Sequence, residues 1–128
     1  MQATQTIRVD PHRKLVAITL TGFFDVAGAT QLAIDAKAAI DSLAGPRNQH
    51  LTLIDFSDCK TQSQDVVAAF QRALGNPLYA ARRLAFITGS SLSRIQARRV
   101  LNRDTARWFD NRREAEAWLG DDRSAQSA

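Results

Sequence analysis

One cysteine, Cys59, is present among 128 residues. A lone cysteine makes no internal disulfide and excludes the clustered thiolates of a structural zinc site. Long apolar runs are missing as well. The longest is the five-residue stretch Val66 to Phe70, against the roughly 20 residues needed to span a bilayer. Met1 to Asp10 is polar and lacks the apolar stretch of a secretory leader. Enzyme signatures are absent too: there is no Gly-rich dinucleotide fingerprint, no phosphate-loop Gly-Lys-Ser/Thr and no Gly-x-Ser-x-Gly elbow. His12 and His50 have no second ligand-type residue at metal spacing and read as solvated turn residues. The expectation is one soluble, cytoplasmic, non-enzymatic domain without metal or cofactor.

What is present is ordinary for a globular protein: 45% hydrophobic and 23% charged residues. A chain of this length buries roughly two thirds of its unfolded surface and needs no staples. The net charge of +4 is unevenly placed. Residues 1 to 79 hold seven basic and seven acidic side chains, whereas residues 80 to 128 hold ten arginines against six acids. A basic surface late in the chain follows.

Hydrophobic periodicity sets the element order. Thr6 to Asp10 and Leu15 to Thr21 alternate at period two around an Asp10-Pro11 turn, which predicts an antiparallel hairpin. Asp25 is the expected N-cap of a helix over Val26 to Leu43, whose apolar stripe is Ala29, Leu32, Ala33, Ala36, Ile40 and Leu43. Leu51 to Phe56 is nearly continuous apolar sequence, as in a strand buried on both faces. A loop over Ser57 to Gln62 then leads to a helix over Ser63 to Leu74. The cycle repeats with a strand over Arg83 to Thr88, a helix from Ser91 to Leu101 and a strand over Thr105 to Phe109. Asn111 with Glu114 reads as a capping box for a last helix ending at Gly120. The prediction is an α/β domain over residues 1 to 120 with five strands and about four helices. Its sheet is mostly parallel with an antiparallel opening hairpin, and residues 121 to 128 form a flexible tail.

Chemistry-bearing residues concentrate in Asp55-Phe56-Ser57-Asp58-Cys59-Lys60-Thr61-Gln62-Ser63-Gln64-Asp65. This stretch lies where α/β sheets form their sites, beyond a strand's carboxyl end and before a helix N-terminus. Thr61 and Gln64 have capping-box spacing. Cys59 beside Lys60 reads as a packed or idle thiol. In the third predicted helix Arg94 and Arg98 share a face, and Arg99 and Arg103 form a second pair. A surface of this kind fits phosphates, anionic lipid or an acidic partner. Nucleic acid ranks last, because the aromatics Trp108, Phe109 and Trp118 read as core closure.

Two segments and their order bring out a family likeness. Val16-Ala17-Ile18-Thr19-Leu20-Thr21-Gly22-Phe23-Phe24-Asp25 and Leu53-Ile54-Asp55-Phe56-Ser57 resemble the strand ends of STAS domains, the SpoIIAA-like anti-sigma factor antagonists. The ending Trp108-Phe109-Asp110 with Glu114-Ala115-Glu116-Ala117-Trp118-Leu119 is similar to the divergent SpoIIAA-like branch grouped with CRAL-TRIO-type lipid-binding folds. The resemblance implies a single STAS-type domain of a bacterial regulatory protein, working by protein–protein interaction. Its partner would be an anti-sigma factor or kinase-like regulator, with a homodimer left open. Phosphorylated members carry Asp-Ser-Ser/Thr-Gly at the second helix; counted without gaps from Asp55, those positions are Ser63, Gln64, Asp65 and Val66. The usual phosphoacceptor is therefore an aspartate, and Ser63 is the fallback acceptor. The expected contact face comprises Asp25, Asp55, Ser57, Asp58, Thr61, Ser63 and Asp65, rimmed by Arg94 and Arg98. The alternative is a small-ligand domain, for a lipid or nucleotide, with Phe23, Phe24, Phe70 and Tyr79 lining an apolar groove.

Overall fold

The period-two segments form strands and the period-3.6 segments form helices. The computed structural model describes residues 3–43, 45–46, 48–59, 62–74, 79–88, 95 and 105–120. Strands β1 (Thr4–Asp10), β2 (Leu15–Gly22), β3 (Leu51–Cys59), β4 (Arg83–Ile87) and β5 (Ala106–Phe109) lie side by side in sequence order. β1 pairs antiparallel with β2, and the remaining neighbours are parallel. The predicted sheet is thus observed. The described helices are α1 (Val26–Asp41), α2 (Gln64–Leu74) and α3 (Arg112–Leu119). Of the helix expected over residues 91 to 101 only Ile95 is described, in helical conformation, and the expected tail lies outside the described residues.

β3 up to Phe56 and β4 are buried on both faces, which is why they read as near-continuous apolar runs. Val16, Ile18, Leu20, Ile54, Phe56, Leu84 and Phe86 point to one side, where α1 and α2 add Ala29, Leu32, Val66, Ala69 and Phe70. Leu15, Leu51, Leu53, Ala85 and Ile87 point to the other side, against Ala115 and Leu119 of α3. A one-residue slip would exchange the two sets, so the alternation fixes register. Aromatic rings stitch the first layer together. Phe24 meets Phe70 edge-on, Phe70 meets Phe56, Phe56 stacks on Phe86, and Phe86 stacks on Trp108.

Several boundaries differ from expectation for identifiable reasons. β3 continues through Ser57 and Asp58 to Cys59, where a loop was expected, because Thr21 and Gly22 of β2 supply pairing partners for Asp58 and Cys59. Polar side chains there are compatible with strand because that end of the sheet is open to solvent. α1 ends at Asp41, with Ser42 as its C-cap. His50 is not solvated: it is 6% exposed. Its carbonyl accepts from the Arg82 amide at 2.8 Å, extending the β3–β4 ladder by one step and drawing the residue inside. His12 stays exposed in the turn.

The helix starts follow capping chemistry. Asp25 Oδ1 accepts from the Gly28 amide at 2.7 Å, as the sequence predicts. Asn111 Oδ1 likewise accepts from the Glu114 amide at 2.9 Å. At α2 Ser63 stands at the cap: its Oγ accepts from the Val66 amide at 3.3 Å, and its carbonyl accepts from Val67 at 3.0 Å; Thr61 lies outside the described residues. Ser63 takes this place because the helix begins at Gln64, which makes Val66 the third helical residue. Asp25→Ala is expected to lower the unfolding free energy by about 1 kcal/mol, the usual worth of an N-cap side chain. Urea titration followed by circular dichroism measures it, and an unchanged midpoint would show that the cap contributes nothing.

Candidate functional site

The carboxyl ends of β2 and β3 and the starts of α1 and α2 meet at one end of the molecule. The β2–β3 register shifts there: Thr19 pairs with Asp55 but Thr21 pairs with Asp58. β3 therefore carries one extra residue, a bulge that interrupts the ladder and redirects its side chains. Asp55 compensates for the interruption. Its Oδ1 accepts both from the Ser57 amide at 2.9 Å and from Ser57 Oγ at 2.6 Å. The Asp-x-Ser pattern is thus a local clasp that shapes the bulge. Asp55 is half-buried, while Ser57 and Asp58 are exposed.

A second contact joins the two connections. Gln62 is only 8% exposed. Its Oε1 accepts from the Phe24 amide at 2.7 Å, and its Nε2 donates to the Gly22 carbonyl at 3.1 Å. Nε2 also lies 3.3 Å from Cys59 Sγ, and that thiol lies 3.3 Å from the Gly22 carbonyl. Gly22 has φ of 84°, a left-handed conformation that suits glycine and turns the chain toward α1. One buried amide thus holds the β2–α1 turn against the β3–α2 connection, 38 residues later. Cys59 is half-buried in this network.

The surface so fixed is acidic around an apolar tip. Asp25, Asp58 and Asp65 are exposed, Asp65 within the first turn of α2. None of the three is in a salt bridge with another described residue. Phe23 is 49% exposed and Val26 42% exposed beside them. Ser63 is exposed at the same end. Of the expected contact residues, Asp25, Asp55, Ser57, Asp58, Ser63 and Asp65 therefore share this end, while Thr61, Arg94 and Arg98 lie outside the described residues. Sequence reasoning missed Gln62 and did not place Phe23 here. The alternative small-ligand reading puts Phe23 in an apolar groove; it is instead 49% exposed, whereas Phe24 and Phe70 are buried.

Other arginines of the late basic segment sit elsewhere. Arg83 opens β4, at the opposite end of the sheet, and donates to the Trp118 carbonyl at 2.6 Å. The Arg83 and Arg107 guanidinium carbons lie 5.0 and 5.3 Å from the centre of the Trp118 ring. Arg13 and Arg112 both reach Glu116, at 3.4 and 3.5 Å. These groups pack on the α3 side, so part of the +4 belongs to the packing of the last helix. Among the described residues no group of three or more His, Cys, Asp or Glu is arranged to hold a metal ion, and no helix is long and apolar enough to cross a membrane.

No family model matches the chain, and no curated protein matches it. Solved structures do. An uncharacterized protein of the DUF3478 family with a SpoIIAA-like fold, from Shewanella loihica, matches with a TM-score of 0.70 and 19% identity, over 93% of this chain and 96% of that one. An anti-sigma factor antagonist from Mycobacterium paratuberculosis matches with a TM-score of 0.64 and 12% identity, over 92% of this chain and 96% of that one. The chain has a SpoIIAA-like fold. At these identities the likeness is one of fold.

Proposed function

We propose that the chain is a non-enzymatic regulatory module that docks a protein partner in the cytoplasm, in the manner of an anti-sigma factor antagonist. The observation that carries this reading is the apolar tip of Phe23 and Val26, set among the exposed carboxylates of Asp25, Asp58 and Asp65. An apolar centre with a charged rim is the anatomy of a docking patch. The partner complements it with lysines or arginines around an apolar pocket. A partner of the anti-sigma factor or kinase-like regulator type fits the fold's company, since one structural neighbour is an anti-sigma factor antagonist.

Asp65 gives this face a constant negative charge in the first turn of α2, where the helix dipole favours an anion. Ser63 is exposed, but its hydroxyl caps the helix. The reading is therefore a module whose charge is built in, with Ser63 as the remaining acceptor for a modification. A carboxylate carries about half the charge of a phosphate, so binding would be weaker and unswitched.

Affinity capture from the native cell extract tests this with three baits: the wild-type chain, Asp58→Arg/Asp65→Arg and Phe23→Ala. The expected result is one stoichiometric protein held by the wild-type chain and reduced at least about tenfold on either variant, with an on-rate that falls as salt rises. Recovery of no partner, or equal recovery on all three baits, overturns the proposal.

A further inference from the structure

Two surfaces of the chain carry opposite chemistry. At the carboxyl ends of β2 and β3, Phe23 and Val26 stand exposed among Asp25, Asp58 and Asp65. Around Trp118, on the α3 side, the surface is aromatic and basic. Trp118 is half-buried against Phe109, with ring centres 5.7 Å apart. The guanidinium groups of Arg83 and Arg107 both lie over its ring, and Arg107 is exposed. Neither arginine is in a salt bridge with another described residue. A guanidinium lying over a ring keeps in-plane N–H groups for a carboxylate. Beside them Arg13 and Arg112 converge on Glu116, so one carboxylate there faces two cations.

The acidic tip and Arg83 cannot meet within one chain. Arg83 pairs with Leu51, and from Leu51 to Asp58 strand β3 runs about 23 Å at roughly 3.3 Å per residue. The basic face calls for an apolar residue ringed by carboxylates, and a second copy of the chain presents one.

We infer that the chain associates head to tail with a second copy, Phe23 of one copy packing beside Trp118 of the next while Asp58 and Asp65 meet Arg107 and Arg83. The inference rests on the reading of the acidic end as a docking patch and adds the face that receives it. Each pairing leaves one acidic end and one basic face open, so the contact is heterologous and propagates. The charge of +4 on each copy opposes association at long range. At 0.1 M salt a Debye length of about 10 Å screens that repulsion between centres far more than it screens carboxylates touching guanidiniums. Both patches are small, which places the contact in the weak, transient class.

Sedimentation equilibrium of the purified chain from about 10 μM to about 1 mM, in about 0.1 M salt, covers the affinities of such contacts. The mean mass is expected to rise to at least about twice the 14.1 kDa of one chain. It is expected to return to one chain at about 1 M salt, where the Debye length is about 3 Å. Asp58→Arg/Asp65→Arg and Arg83→Gln/Arg107→Gln, each checked for folding by circular dichroism, are expected to be monomeric alone. Mixed in equal amounts they are expected to form a one-to-one dimer that grows no further, because one supplies an intact basic face and the other an intact acidic end. Arg107→Gln alone, at an exposed position, is expected to weaken association about tenfold. A wild-type chain that stays monomeric throughout, association of Arg107→Gln equal to wild type, or a mixture that stays monomeric overturns the inference. A monomeric wild type that retains a single-stranded oligonucleotide also overturns it and gives the Arg107 face to nucleic acid. No other protein is present, so a negative result strikes self-association without touching capture of a partner at the acidic end.

Discussion

Replacing Phe86 by alanine is expected to lower the unfolding free energy by about 4 kcal/mol, the scale of a fully buried aromatic truncation. Phe86 has no exposed surface. Its ring stacks on Phe56 at 5.6 Å and on Trp108 at 5.8 Å. It is therefore the link between the centre of the sheet and the β5 edge. Truncation forfeits the burial of the ring and both stacking contacts, and leaves a hole that β4, paired on both sides, cannot collapse to fill. Phe86→Leu keeps much of the volume and is expected to cost about half as much. Urea unfolding followed by tryptophan fluorescence measures both, since Trp108 reports directly on the contact. A loss below about 1 kcal/mol for the alanine variant would show that the ring row does not carry the core.

The row of rings also shows what could be read in advance. Phe56 and Phe86 were legible as strand residues buried on both faces, because an apolar run bounded by turn residues leaves little choice. Asp25 was legible as a cap for the same local reason: it stands immediately before the first helical residue. The hairpin and the mostly parallel sheet followed from short connections and alternating periods, and the SpoIIAA-like arrangement was implied by the family resemblance. The extent of β3 did not follow. Ser57, Asp58 and Cys59 are strand residues only because Thr21 and Gly22 lie beside them after a bulge, and period-two reasoning contains no term for an inserted residue. His50 misled in the same way, since its burial depends on the ladder to Arg82 rather than on its own polarity. A cavity of about 70 Å³ between the sheet and the α1–α2 layer had a faint trace. Ala29, Ala33 and Ala36 on the inner stripe of α1 are small where a well-filled helix–sheet layer uses leucine or isoleucine. A stripe of that kind predicts helix strongly and void volume weakly, because the size of the space depends on the opposing strand residues.

Gln62→Ala is expected to lower stability by about 3 kcal/mol, a large effect for a polar residue in a connection. The reason is what remains after truncation. The Phe24 amide, in a buried residue, loses the partner that Gln62 supplies, and the Gly22 carbonyl is left with the weak Cys59 thiol donor. An orphaned buried group costs about 1–3 kcal/mol, the weakened carbonyl adds to it, and the cost is incurred where the chain must hold φ of 84° at Gly22. Gln62→Met, which keeps the length of the side chain but neither hydrogen bond, separates polar satisfaction from volume and is expected to behave nearly as badly as alanine. Cys59→Ala removes only weak sulfur contacts and is expected to cost about 1 kcal/mol or less. The consequence extends to the surface, because Phe23 and Asp25 flank the residue whose amide Gln62 holds. Hydrogen exchange is expected to show lost protection at the Phe24 amide in Gln62→Ala while the β3–β4 ladder, from Leu53 to Ile54, stays protected. Partner capture should then weaken at temperatures where the variant is still folded. If the variant is as stable as wild type and the Phe24 amide stays protected, the two connections are held together by packing alone, and the acidic end owes its shape to the sheet rather than to this one buried amide.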